Sequence, residues 1–98
     1  MEKGISFYRV SLDLFSEDNF KGNMSRYYLY DFPKRGKVTF VGSIMLAHKY
    51  STFGNAKKAG EKLLNQFPRG RVNICGCDYL GVEIDSTTIQ NIQEKSLV

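Results

Sequence analysis

His48 is the only histidine in the chain, so any mechanism that needs an imidazole base must run through it. Cys75 and Cys77 form a C-x-C, and on a strand two side chains at that spacing point the same way. A tetrahedral metal site needs four ligands, so the pair of thiolates would have to recruit His48 or distant carboxylates. The plainer reading is two core cysteines acting as small hydrophobes, and a histidine packed on the strand face it shares with Ile44 and Leu46. Asp31 and Glu61 are isolated acids in basic surroundings, and their spacing supplies no partner for acid–base work. The chain has no Gly-rich phosphate loop with its lysine, no H-E-x-x-H, no G-x-S-x-G and no paired-glycine dinucleotide fingerprint. It is therefore read as a non-enzyme, with no catalytic residue, cofactor or metal assigned.

What stands out instead is a run in which cations and rings interleave: Arg26, Tyr27, Tyr28, Tyr30, Phe32, Lys34, Arg35 and Lys37. Lysine and arginine neutralise phosphates, and a tyrosine on a sheet face can stack on an unpaired base, worth about 1–3 kcal/mol per base. Alternation places Arg26, Tyr28, Tyr30 and Phe32 on one face and Tyr27, Leu29 and Asp31 on the other, and only one set can face a helix. The bland alternative is that the rings line a core behind a solvated cationic turn. The candidate binding residues are Arg26, Tyr28, Tyr30, Lys34, Arg35, Lys37, Lys49, Lys58 and Lys62.

The elements that must position them begin with a helix over residues 52–67. Thr52 or Ser51 can cap its start, and Phe53, Ala56, Gly60, Leu63, Leu64 and Phe67 recur at three- and four-residue steps on one stripe, with Lys58, Lys62 and Asn65 opposite. Pro68 ends it. Gly60 lies within the apolar stripe, where it costs roughly 1 kcal/mol of helix propensity, so a close approach to a sheet is expected there. Before the helix, residues 5–15 alternate as a half-buried strand, 16–25 read as a loop, 26–32 as a second strand and 37–50 as a long third one. Gly42-Ser43 interrupts that third strand and marks a bulge or bend, with a second hairpin turn as the alternative. After it, 71–77 is a strand that 79–84 extends or pairs with, and Asp85-Ser86 can cap a short final helix carrying Ile89 and Ile92. The order β-β-β-α-β predicts an α+β domain spanning residues 1–98, a mainly antiparallel sheet of four to five strands with one amphipathic helix on a face.

Net charge is +4 over 98 residues, but eleven of the fourteen lysines and arginines fall in residues 21–72, against only Asp31 and Glu61, and both ends of the chain are acidic. Such asymmetry informs partners rather than fold. No apolar run approaches the roughly 18 residues of a membrane span, and Arg9 and Asp13 interrupt what a signal peptide would keep apolar, so a cytoplasmic protein with reduced cysteines is expected. The stretch from Arg26 to Leu64, strand pairs followed by a Y-S-T-F-x-x-A-K-K-A helix entry, resembles in element order the small three-strand-plus-helix DNA-binding domains such as those at integrase N-termini. That resemblance implies recognition from the sheet, with Arg26, Lys34, Arg35, Lys37 and Lys49 near phosphate. The expected function is a small binding module that engages nucleic acid or a nucleic-acid-handling complex. The alternative is a protein-binding inhibitor or adaptor, of the compact kind that phages and mobile elements encode, occluding an acidic surface of its partner. The sequence leaves the oligomeric state open.

Overall fold

The computed structural model describes residues 4–15, 24–31 and 37–90. Strand β1 (Phe7–Phe15) is central because both of its faces are lined by buried side chains and both of its edges are paired. On one side lies β2 (Met24–Asp31), antiparallel from Ser11↔Tyr28 to Phe15↔Met24. On the other lies β4 (Arg71–Cys77), antiparallel from Phe7↔Cys77 to Asp13↔Arg71. With β3 (Thr39–Val41) beside β2 and β5 (Glu83–Gln90) beside β4, the sheet runs β3-β2-β1-β4-β5, antiparallel throughout. Helix α1 (Phe53–Gln66) crosses one face, giving the expected α+β architecture.

Thr52 does cap the helix, its Oγ1 accepting from the Asn55 N–H at 3.1 Å, and the Phe67 N–H closes the last turn on the Leu63 carbonyl. Ala56, Ala59 and Leu63 pack on Val10, Leu12, Leu29, Val72 and Ile74, the apolar centre of the molecule. Gly60 has the packing role its position implied: a Cβ there would lie 2.9 Å from Val72 Cγ1 and 3.0 Å from Ile74 Cδ1. Phe53 sits at the margin of this layer, edge-on to Tyr8 at 5.7 Å.

Two stretches depart from expectation. The strand read over 37–50 is only three residues long, because the Ser43 hydroxyl accepts from the Met45 N–H at 3.2 Å and turns Ile44–Leu46 into a short 3₁₀ helix. Gly42-Ser43 is thus a bend at the end of the strand, as one of the expected readings had it, and neither a bulge nor a hairpin turn; the bulge lies in β2, between Leu29 and Asp31. The chain rejoins the sheet at Tyr50, which exchanges two 2.7 Å backbone hydrogen bonds with Tyr8. At the other end, 79–82 is a turn, and the residues read as entering a final helix belong to β5, where Asp85 and Ser86 lie opposite Gly76 and Cys75. Ile84, Thr87, Thr88 and Ile89 are β-branched and sit beside the open edge of β4, which outweighs a weak helical period. The rest of the expected final helix, 91–98, lies outside the described residues. Among the described residues no helix is long and apolar enough to cross a membrane.

Candidate nucleic-acid interface

Tyr8, Val10, Leu12 and Leu14 of β1 face α1, so Phe7, Arg9, Ser11, Asp13 and Phe15 face away from it, onto a side of the sheet that α1 does not cover. Arg9 and Asp13 are nevertheless only 1% and 0% exposed. Register explains Asp13. It lies opposite Arg26 on β2 and Arg71 on β4, so both guanidiniums fold over it from either side. Arg26 donates Nε–H to Asp13 Oδ1 at 2.6 Å and Nη2–H to Oδ2 at 3.0 Å, while Arg71 donates Nε–H to Oδ2 at 3.3 Å. Asn73 donates to the same Oδ2 and to Ser11 Oγ, each at 3.0 Å, and accepts from Thr88 at 2.8 Å, so four strands share one network. Burial disfavours the charged carboxylate, but Arg26, Asn73 and Arg71 outweigh it and hold Asp13 below its ordinary range. The hydrogen bond to Asp13 in turn strengthens the protonation of Arg26.

The remaining cations of this face lie over rings. The Arg71 guanidinium is 5.1 Å from the Phe15 centroid, and Arg9 and Lys49 are each 4.9 Å from the Phe7 centroid. Arg9 also donates Nη1–H to the Gly81 carbonyl at 3.2 Å, and its buried Nε finds no hydrogen-bond partner among the described residues. The open face therefore has a cationic-aromatic group at each end of β1. The six-residue step from Phe7 to Asp13 separates them by about 20 Å at the usual strand rise.

Of the residues singled out by the sequence, Arg26 and Tyr28 are neighbours on this face, Tyr28 half-buried opposite Ser11, and Lys49 lies at its other end over Phe7. Tyr30 is exposed at the β2 bulge and Lys37 is exposed before β3, while Lys34 and Arg35 lie outside the described residues. Lys58 and Lys62 are on the other layer, where with Tyr50, Asn55 and Ala59 they line a cavity of about 380 Å³. The single surface that the basic block suggested is thus two. Tyr27 and Leu29 are the set that turns toward α1: Leu29 enters the core, and Tyr27 meets Phe40, which in turn meets Phe67.

Sequence reasoning missed Phe7, Arg9, Asp13, Phe15 and Arg71. The alternation was visible, but the polar set on β1 read as solvated, and only the pairing register brings Asp13 between two arginines. His48 is not packed on a strand face as expected; it is exposed, its ring 4.5 Å from that of Tyr50. The strand that would have buried it ends at Val41. Cys75 and Cys77 are buried, side by side under the open face. Burial, helped by Glu83, pushes the Cys75 thiol up to about 12, and burial raises Cys77 in spite of the neighbouring Arg9.

The stretch 26–64, which resembles a three-strand-plus-helix domain in element order, supplies only β2, β3 and α1, and the helix packs chiefly on β1 and β4, outside it. Comparison with protein-family models, curated proteins and solved structures finds no match, so the reading of this face rests on its own geometry.

Proposed function

We propose that the protein is a non-enzymatic binding module whose open sheet face engages single-stranded nucleic acid. The observation that carries this reading is the clamp of Arg26 and Arg71 on the buried Asp13. A guanidinium has five N–H donors, and Asp13 takes two from Arg26 and one from Arg71, leaving others in fixed positions for phosphate. Both arginine side chains remain more than a third exposed, at 39% and 36%. Two cations on one carboxylate leave a positive excess, to which Lys49 adds at the far end of β1. The guanidinium plane of Arg71, held against Phe15 and still partly exposed, is itself a surface on which an unpaired base can stack. The acid here is locked in ion pairs and the thiols are buried and hard to ionise, an arrangement that favours holding a ligand over transferring a proton.

The test compares the two basic layers. Lys49→Glu with Arg71→Gln alters the open face, and Lys58→Glu with Lys62→Glu alters the helix layer. Affinity for single-stranded RNA, single-stranded DNA and duplex DNA is measured across a salt series. The open-face variant is expected to bind single strands more weakly and to flatten the log–log salt slope by about one for each phosphate it no longer neutralises, with the helix variant unchanged. A wild type that binds no nucleic acid, or an open-face variant that binds it equally well, refutes the reading. Binding to an acidic protein alone, abolished in the same variant, supports the inhibitor or adaptor alternative.

A further inference from the structure

The turn joining β4 to β5 has an unusual composition. Turns favour small polar residues, yet this one displays Tyr79 at 80% exposure and Leu80 at 65%, with Val82 also more than half exposed. The 3₁₀ turn beside it adds exposed Met45 and Leu46, and a Cβ on Gly81 would lie 3.4 Å from Met45 Cε. Clustered exposed apolar side chains on a small protein mark a contact surface.

The turn is also held rigid. Asp78 Oδ1 accepts the N–H groups of Leu80 and Val82 at 2.9 Å each, and backbone bonds join Asp78 to Gly81 and Val82. Gly81 takes φ +91°, a conformation glycine favours, and its carbonyl accepts from Arg9 in the central strand. That hydrogen bond gives the buried arginine a purpose: it fastens the turn to the sheet. An apolar anchor presented without loss of loop freedom is the form binding hot spots take. Around it stand Asp78, Glu83 and Asp85, none of which forms an ion pair with a described residue.

The complementary shape is on the same chain. The cavity of about 380 Å³ beside α1 offers Ala59 and the Tyr50 ring within a rim carrying Lys58 and Lys62, and its size falls in the range of about 300–1,000 Å³ typical of ligand sites. Turn and cavity cannot meet within one molecule. The cavity is lined by α1 residues on one side of the sheet, whereas the turn is held by Arg9, whose side chain leaves β1 on the face away from α1.

We propose that a second copy of this chain seats its 78–82 turn in that cavity, with Leu80 and Tyr79 on Ala59 and Tyr50 and the acidic flank of the turn facing Lys58 and Lys62. The contact is head-to-tail, so each copy keeps one free turn and one free cavity and assembly continues into a ring or a filament. The cavity lies on the helix layer and the turn against Arg9 at one end of the open face, and self-association is read separately from nucleic-acid affinity, so the two readings fail separately.

Sedimentation velocity of the full chain over a concentration series, at low and high salt, tests it. Wild type is expected to self-associate, less so at high salt. Leu80→Asp, and separately Lys58→Glu with Lys62→Glu, should each weaken association by at least about tenfold, as for removal of a hot spot. All three positions are exposed, and circular dichroism melts establish that the variants fold; Tyr79→Ser repeats the first arm with a milder change. Mixing the two non-associating variants should yield a capped two-chain species, because one retains the cavity and the other the turn. A wild type that is monomeric throughout, a variant that associates as well as wild type, or a mixture that forms nothing overturns the proposal; the first outcome leaves the turn to a foreign partner.

Discussion

The two faces of the sheet solve the same problem by opposite means. Toward α1, Val10, Leu12, Val72 and Ile74 are buried by a helix, and the stabilisation is apolar contact. On the other face Arg9, Ser11, Asp13 and Asn73 are just as inaccessible, yet α1 does not cover them: arginine side chains of neighbouring strands fold over Asp13, and the turn after β4 closes on Arg9. The first face tolerates no polar group and needs no particular geometry of hydrogen bonds. The second must pair the polar groups it hides, which it does for the Asp13 carboxylate and leaves undone at Arg9 Nε, and it keeps the ends of Arg26 and Arg71 in water.

The contrast can be broken at either face. The largest effect is expected for Leu63→Ala, which removes a fully buried side chain at the centre of the helix layer and should cost about 2–5 kcal/mol in urea unfolding. A loss under about 0.5 kcal/mol would mean that the helical stripe is not what holds the layers together. Next is Asp13→Ala. Removing one member of a buried ion network costs about 3–5 kcal/mol, but Arg26 and Arg71 are over a third exposed and can rehydrate, which reduces the expected loss to about 1–3 kcal/mol. A neutral result would show that the open face is held by its rings rather than by its carboxylate.

Acid titration sharpens that point. Asp13 has a lower pKa folded than unfolded, so its contribution is complete above the unfolded value of about 3.9 and drains away as pH falls through the folded one. Thermal melts should therefore show stability declining below about pH 4, with a shallower decline in Asp13→Asn; identical slopes would assign the acid sensitivity to other carboxylates. Gly60→Ala comes next, since the gain of about 1 kcal/mol in helix propensity is opposed by an overpacking cost of about 1–3 kcal/mol against Val72 and Ile74. A net loss of about 1 kcal/mol is expected, and a more stable variant would show that the helix rides further from the sheet. The smallest effect is His48→Ala, an exposed position expected to change stability by under about 0.5 kcal/mol.

What the sequence made legible was local. The period of α1, its Thr52 cap, the close approach at Gly60 and the stop at Pro68 depend on residues within a turn or two of each other. So does the alternation that puts Arg26 and Tyr28 on one face. What it hid depends on register: Asp13 meets Arg71 across a separation of 58 residues, and nothing nearby in the chain announces that meeting. The same holds for Ile89, whose spacing from Ile92 suits a helix but which packs against the core as part of a strand. The Tyr79-to-Val82 turn was misread because apolar residues imply burial unless tertiary structure leaves them out, and the Ser43 hydroxyl diverted a strand through one side-chain hydrogen bond.

The paired thiols give this fold an internal clock. Cys75 and Cys77 lie on β4 opposite Arg9 and Phe7, sealed in and slow to ionise. A thiol reagent can therefore reach them only while the sheet is transiently open, so the labelling rate reports the frequency of opening events rather than the chemistry of sulfur. Cys77 lies next to the Arg9 that fastens the turn, and Cys75 one step further in. If the turn loosens by itself, Cys77 is modified first; if the sheet opens as one unit, both are modified together. The relative rates distinguish fraying at one end from cooperative unfolding, with no cysteine introduced into the chain.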